Sequence, residues 1–346
     1  MSFRLWIKIV SLLFISLSLL TVFGCQQGKK QDRVCVIYAS VDQNFSEPVL
    51  QHFQEKKKIR ILPVYDVEAT KTTGLVNRLI AEKDRPQADV FWSGEFAQTI
   101  LLKEKDVLAP YLSPNAKNIP DLYKDPEGYW TGFSARARVL IVNTDLLTSQ
   151  EYPASIFDLL QPRWPAEKIG IAYPVFGTTA THAAALYAFL GAEKARNFFQ
   201  ELYDRGVRVA DGNATVRDLV SSGQLIMGLT DTDDACGAKR RGKPVDLVFL
   251  DQEENGLGTL LIPNTVAMVN GAPHHEEARI LIDFLLSEDV EQRLIEAGWT
   301  HVPLRPLNIR QDCLENMDIK GMNISLQEVY QSFEYSKKEL LEIFIR

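Results

Sequence analysis

The sequence has little of what metal centres and nucleophilic enzymes are built from. Its four cysteines, at positions 25, 35, 236 and 313, fit no metal-ligand spacing, and no Cys-x-x-Cys pair occurs. Neither His-Glu-x-x-His nor a Gly-x-Ser-x-Gly elbow is present, and no nucleophile stands with a base at a recognisable spacing. His274-His275-Glu276-Glu277 follows Gly271 and Pro273, and reads as a solvated loop ahead of a helix. Gly237 to Lys243 repeats the glycine and lysine spacing of a phosphate-binding loop. However, Pro244 occupies the place of the hydroxyl residue that holds magnesium, and no strand directly precedes the stretch. Basic runs are scarce too. With a net charge of -7 and only Lys239 to Lys243 densely cationic, the chain has no nucleic-acid surface. The apolar run from Ile9 to Phe23 falls short of the ~20 residues that a membrane-spanning helix needs.

What is present begins with that run. Arg4 and Lys8 precede it, and it stops at Val22-Phe23-Gly24-Cys25, the layout of a targeting segment. An aliphatic residue, then a small one directly before a cysteine, resembles the lipobox of bacterial lipoproteins. The resemblance implies a signal peptide over residues 1–24, cut after Gly24, and a diacylglyceryl group on Cys25. Residues 25–32, with Gln26-Gln27-Gly28-Lys29-Lys30, read as a flexible tether. Lipid chains would hold the protein at a membrane by burying their methylenes. The expected location is therefore exported and lipid-anchored at the cell envelope, on the periplasmic face in a Gram-negative cell. Of the three remaining cysteines at least one stays free. Cys35 lies in an apolar strand run and reads as a small core residue. Spacing leaves open whether Cys236 and Cys313 pair.

The rest of the 346 residues is enough for two domains with cores of their own. Three times a short apolar strand delivers polar residues to the start of a helix. Val34 to Tyr38 leads to Ser40 and Asp42, Ile59 to Val64 leads to Asp66 and Glu68, and Ala88 to Trp92 leads to Ser93-Gly94-Glu95. That repetition is the βα unit of a parallel sheet, with its functional edge on one side. Further on, Ile226-Met227-Gly228-Leu229 runs into Thr230-Asp231-Thr232-Asp233-Asp234. Side chains at the carboxyl edge of such a strand stand where open α/β sheets bind ligands. Three carboxylates this close repel one another unless a cation, an amine or a helix N-terminus compensates. Singly, Asp231 or Asp233 suits an N-cap; together they suit a ligand. Phe176-Gly177-Thr178-Thr179 opens another helix, where free amide N–H groups and hydroxyls form an anion site, or where Thr178 or Thr179 simply caps.

The order of three segments carries a wider resemblance. Pro86-Gln87-Ala88-Asp89-Val90-Phe91-Trp92-Ser93, Leu108-Ala109-Pro110-Tyr111 and Ala135 to Thr144 resemble the extracellular solute-binding proteins of ABC importers, and most of all the ferric-iron-binding branch. The similarity runs from about Val34 to about Leu307. It implies an α/β, two-lobe periplasmic-binding-protein-like fold, each lobe a mostly parallel sheet flanked by helices, joined by a hinge. Lobe 1 is expected over 33–138 and 266–346, and lobe 2 over 139–265. It also implies a monomer that captures a small-molecule or metal ligand between the lobes and presents it to an ABC permease in the membrane. No chemistry and no cofactor are expected, ferric iron being a transported ligand.

That branch presents adjacent tyrosines where this chain has Asp233 and Asp234, which removes its principal iron ligands. Asp233 and Asp234, with Glu95, Glu68 and Asp66 adding carboxylates from the first lobe, leave a metal site of carboxylate oxygens as one expectation, its core set Glu95, Asp233 and Asp234. The other is a zwitterion such as an aminophosphonate. Its amine would meet Asp231, Asp233 or Asp234, and its anionic end Thr178, Thr179 and Arg136. The expected ligand-facing set is Ser40, Asp42, Glu68, Ser93, Gly94, Glu95, Arg136, Gly177, Thr178, Thr179, Asp231, Thr232, Asp233 and Asp234. Arg136 and Arg138 share a strand face; one forms a structural ion pair and the other, read as Arg136, reaches the cleft. Two competing classes are an exported hydrolase using Glu95 and Asp233 as a carboxylate pair, and a lipoprotein sensor without a permease.

Overall fold

The computed structural model describes residues 33–66, 73–307, 313–314 and 319–345. The expected signal peptide, tether and lipidated Cys25, and the candidate Glu68, lie outside the described residues.

The first lobe is built as the βα reading expects. Strands β1 (Val34–Ala39), β2 (Arg60–Tyr65) and β3 (Val90–Ser93) pair in parallel, β1 lying between the other two. Helix α1 (Gln43–Lys57) follows β1, α2 (Thr73–Ala81) follows β2 and α3 (Ala97–Glu104) follows β3. Helix α1 buries Val49, Leu50 and Phe53 on one face. It stops where Lys58 turns left-handed at φ 55° and returns its N–H to the Gln54 carbonyl. The short β4 (Leu108–Ala109) closes this series.

Strand β5 (Thr131–Asn143) then carries the chain across, and all thirteen of its residues are buried. From Thr131 to Ala137 it pairs antiparallel with β10 (Leu261–Val269). From Arg138 to Asn143 its partners are β8 (Met227–Asp231) and β9 (Val245–Val248), again antiparallel. Beyond it lie β6 (Ile169–Ala172) and β7 (Arg208–Ala210), so the path is β2-β1-β3-β10-β5-β8-β6-β7. Two parallel groups thus flank a central antiparallel pair, and that pair joins two lobes.

In the second lobe α4 (Gly177–Leu190) follows β6, α5 (Ala192–Asp204) follows α4, α6 (Asn213–Ser221) follows β7 and α7 (Thr232–Arg240) follows β8. Gly228 on β8 is required by close packing. A Cβ there would stand 2.4 Å from Val216 of α6 and 2.9 Å from the Gly170 carbonyl of β6. Helix α6 therefore lies tight against the β6–β8 pair, which brings its first residue, Asn213, to the end of β8.

The chain re-enters the first lobe along β10 and continues into α8 (His275–Leu285) and α9 (Glu288–Ala297). His274 just before α8 bonds Asp89 through its backbone N–H at 2.7 Å and its ring at 2.9 Å, a structural pairing. Residues 266–346, expected with the first lobe, end in α10 (Leu326–Phe344), which lies against α4 and α5 of the second lobe. Tyr187 donates to Glu339 at 3.1 Å, and Phe344 meets Phe199 edge-on. Tyr330 of the same helix reaches Glu104 of α3. Apolar positions with helical spacing predict a helix here; they carry no information about which lobe it covers. Cys236 and Cys313 form a disulfide, which resolves the pairing the spacing leaves open, and Cys35 is free and buried.

Candidate functional site

The site grows out of strand register. Arg138 of β5 stands directly opposite Asp231 of β8, so their side chains share one face of the sheet. Arg136, two residues back, points the same way. Arg138 donates from Nη1 to Asp231 Oδ1 at 2.7 Å. The other Asp231 oxygen accepts from the Thr178 hydroxyl at 2.6 Å and from Asn213 Nδ2 at 3.1 Å. Asp231, with 1 % of its surface exposed, is the hub of a closed hydrogen-bonded network. Burial alone would raise its carboxyl, but Arg138, Arg136 and the Thr178 hydroxyl outweigh burial and hold it below the ordinary aspartate value. It occupies the N-cap position of α7 without making a side-chain cap bond.

Arg136 links the two lobes. Its Nη2 donates to the Gly94 carbonyl at 3.0 Å, while Nη1 lies 3.5 Å from Asp231 and 3.6 Å from Asp233. The guanidinium stacks 4.8 Å over the Trp299 ring. Gly94 permits that arrangement, because a Cβ there would come within 3.2 Å of the same indole. Of the two arginines, Arg138 is the one sealed into an ion pair, and Arg136 is the one that meets Asp233.

Asp233 differs from its neighbours. A fifth of its side chain is exposed, while its Oδ1 is buried and has no hydrogen-bond partner. Burial, reinforced by Asp231 and Asp234 and only partly countered by Arg136, pushes its carboxyl up to about 7. Asp234 is committed elsewhere: Arg217 donates to it at 2.7 Å and Thr230 at 3.2 Å. Thr232 accepts the Ala137 N–H at 3.1 Å and is wholly buried.

Across the cleft, Ser40 donates to Ser93 at 3.3 Å, and Ser93 accepts the Glu95 N–H at 3.3 Å. Asp42 stands at the N-cap position of α1 and makes no side-chain cap bond. Both Glu95 oxygens accept backbone N–H bonds at the start of α3, from Ala97 at 2.8 Å and Gln98 at 3.0 Å. Two members of the expected metal set of Glu95, Asp233 and Asp234 are engaged by other groups. Glu95 caps a helix, Asp234 pairs with Arg217, and no three His, Cys, Asp or Glu side chains are grouped as metal ligands among the described residues.

Thr178 and Thr179 do not cap α4 either. Their hydroxyls donate to Asp231 and, at 3.1 Å, to Asn213. No side chain caps this helix, so its first amide N–H groups are open to an anion. Gly177 sits at φ 54° with open space where a Cβ would be, and exposed Phe176 stands beside it. A groove of about 950 Å³ lies elsewhere, lined by Lys103, Lys124 and Trp130 among others, and shares no residue with this constellation.

Asn213, Arg217 and Trp299 belong to the site and were not singled out in the sequence. Asn213 had a legible signal, since Ala210-Asp211-Gly212-Asn213 is another strand end running into a helix. Arg217 and Trp299 had none, because each arrives through tertiary packing.

Residues 85–318 match the family described as bacterial extracellular solute-binding protein. A probable ABC transporter periplasmic-binding protein of Sinorhizobium fredii is 28 % identical over 67 % of this chain and 64 % of its own length. Iron uptake protein A1 of Synechocystis is 24 % identical over 85 % of this chain and 82 % of its own. A putative 2-aminoethylphosphonate-binding periplasmic protein of Salmonella typhimurium is 27 % identical over 65 % of each chain. The match thus spans just under two thirds of the Sinorhizobium and Salmonella proteins. In fold, a ferric binding protein from Campylobacter jejuni superposes with a TM-score of 0.80 at 18 % identity, covering 90 % of this chain and all of that one.

Proposed function

Because the chain belongs to the bacterial extracellular solute-binding proteins, we propose that it is the capture subunit of an ABC importer whose ligand is a small zwitterion, an amine joined to a phosphonate or carboxylate. One observation carries this reading. Arg138 and Arg217 pair closely with Asp231 and Asp234, and Arg136 stands within 3.6 Å of both Asp231 and Asp233. A bare ferric ion entering there would meet three guanidinium groups, with Asp231 and Asp234 already paired. A molecule carrying both charges needs much less. Its ammonium pairs with Asp233, the carboxylate with an unpartnered oxygen. Its anionic end takes the uncapped start of α4 at Gly177 and the Arg136 guanidinium.

The mechanism is binding without chemistry. Contacts on both lobes favour the closed state, and the permease recognises that state. The lipid on Cys25 keeps the protein at the membrane where the permease sits. The name of the Synechocystis relative, an iron uptake protein, favours the alternative, a transported iron ion. Elemental analysis and mass spectrometry of protein purified without refolding separate the two. A co-purifying amine-containing anion, with calorimetric heat at one equivalent of 2-aminoethylphosphonate or a related zwitterion, supports the proposal. Iron in near-equal amount to protein overturns it in favour of the metal.

A further inference from the structure

A guanidinium carries five N–H donors in a planar fork, and Arg138 uses only one end of it. Its Nη1 serves Asp231, Thr178 and Asn213. The opposite edge, Nε and Nη2, has no hydrogen-bond partner although the side chain is only 1 % exposed. Charged donors held out of water without an acceptor are costly, and two parallel N–H groups make the edge that binds anions bidentately.

Arg138 also lines a cavity of about 20 Å³, together with His182, Leu186, Leu257, Thr259 and Met322. Nearly all of the lining is buried. Asp251 and Thr259, also in the lining, are hydrogen-bonded elsewhere. Asp251 accepts from Ser155 at 2.6 Å and from the Ile156 N–H at 3.1 Å. Thr259 accepts from Gln252 at 3.0 Å and donates to the Leu250 carbonyl. His182 is held neutral by burial and by the charge of Arg138.

We propose that this cavity is a binding site for one monatomic anion, chloride in the first instance, held by the Nε–H and Nη2–H fork of Arg138. Size selects the class: the volume suits one atom-sized occupant and is too small for a carboxylate or phosphate. Chemistry selects the kind of partner. The free edge of Arg138 is made only of N–H donors on a cationic group, so it takes an acceptor and suits an anion. Water is the competing occupant of a cavity this size, and halide substitution separates the two. Location gives the consequence. Arg138 and Val139 lie on β5, while Gly258, Thr259 and Leu260 lead into β10, so the occupant ties together the two strands that connect the lobes. This inference is independent of what the interlobe site captures.

Crystals of the wild-type protein grown in bromide in place of chloride should show an anomalous peak within about 3.5 Å of both nitrogens. In solution the melting temperature should rise saturably with millimolar chloride or bromide at fixed ionic strength, and not with gluconate. Arg138→Lys, which keeps the charge and loses the fork, should abolish that dependence. Leu186→Phe, which fills the cavity and spares the ion pair, should do the same if the first variant does not fold. A water in place of the halide overturns the proposal. So does a peak without a saturable effect in solution, which would mark an adventitious ion only.

Discussion

Two aspartates two residues apart have opposite roles, and substitution should separate them. Asp231 is locked by Arg138, Thr178 and Asn213. Asp231→Ala would leave Arg138 buried without its counter-charge, and should cost about 3–5 kcal/mol in denaturant unfolding. Asp233 behaves in the other direction. Its carboxyl at about 7 lies above the unfolded aspartate value near 3.9, so the folded protein holds this proton more tightly. The stability this contributes is complete below about pH 4 and is lost as pH rises through 7. Unliganded protein should therefore melt lower at pH 8 than at pH 5, and Asp233→Asn should flatten that difference. The same variant should weaken an amine ligand by tenfold or more at pH 8, where the wild-type carboxylate is ionised. An unchanged affinity would remove Asp233 from the ligand contacts. The acidic run itself was legible in the sequence. The arginines that neutralise two of its members were not, because Arg217 and Asp234 meet only after α6 packs on β8.

Among the elements, α3 offers the cleanest test of cap against ligand. Glu95 gives both oxygens to the first N–H groups of that helix. Glu95→Ala should cost about 1 kcal/mol of stability and leave ligand affinity unchanged in calorimetry. A metal ligand would show the reverse, a large loss of affinity with little change in melting. The strand–helix alternation of both lobes was readable because each apolar run ends in hydroxyls, carboxylates or glycine before an amphipathic stretch. The start of β5 was not, since Thr131 to Ala135 has no apolar run, and its burial comes from distant segments: β10, Glu291, Thr300 and Val302. The side on which α10 docks was equally hidden. Its apolar face specifies a helix and a partner surface, and leaves the choice of lobe to the chain's path.

For the whole molecule, the disulfide between Cys236 and Cys313 closes a sequence separation of 77 residues. In the chain-entropy account a loop of that length stabilises by about 4 kcal/mol. Unfolding in denaturant with and without a dithiol reductant should show a shift of that order, and no shift would mean that the tail beyond α9 adds nothing to the cooperative unit. That pairing has a practical corollary. Cys35 has no exposed surface and burial pushes its thiol far up, so no sulfhydryl among the described residues is open to a maleimide. A single cysteine introduced at Phe176, exposed beside the start of α4, would carry a dye at one defined spot and turn lobe closure into an optical signal.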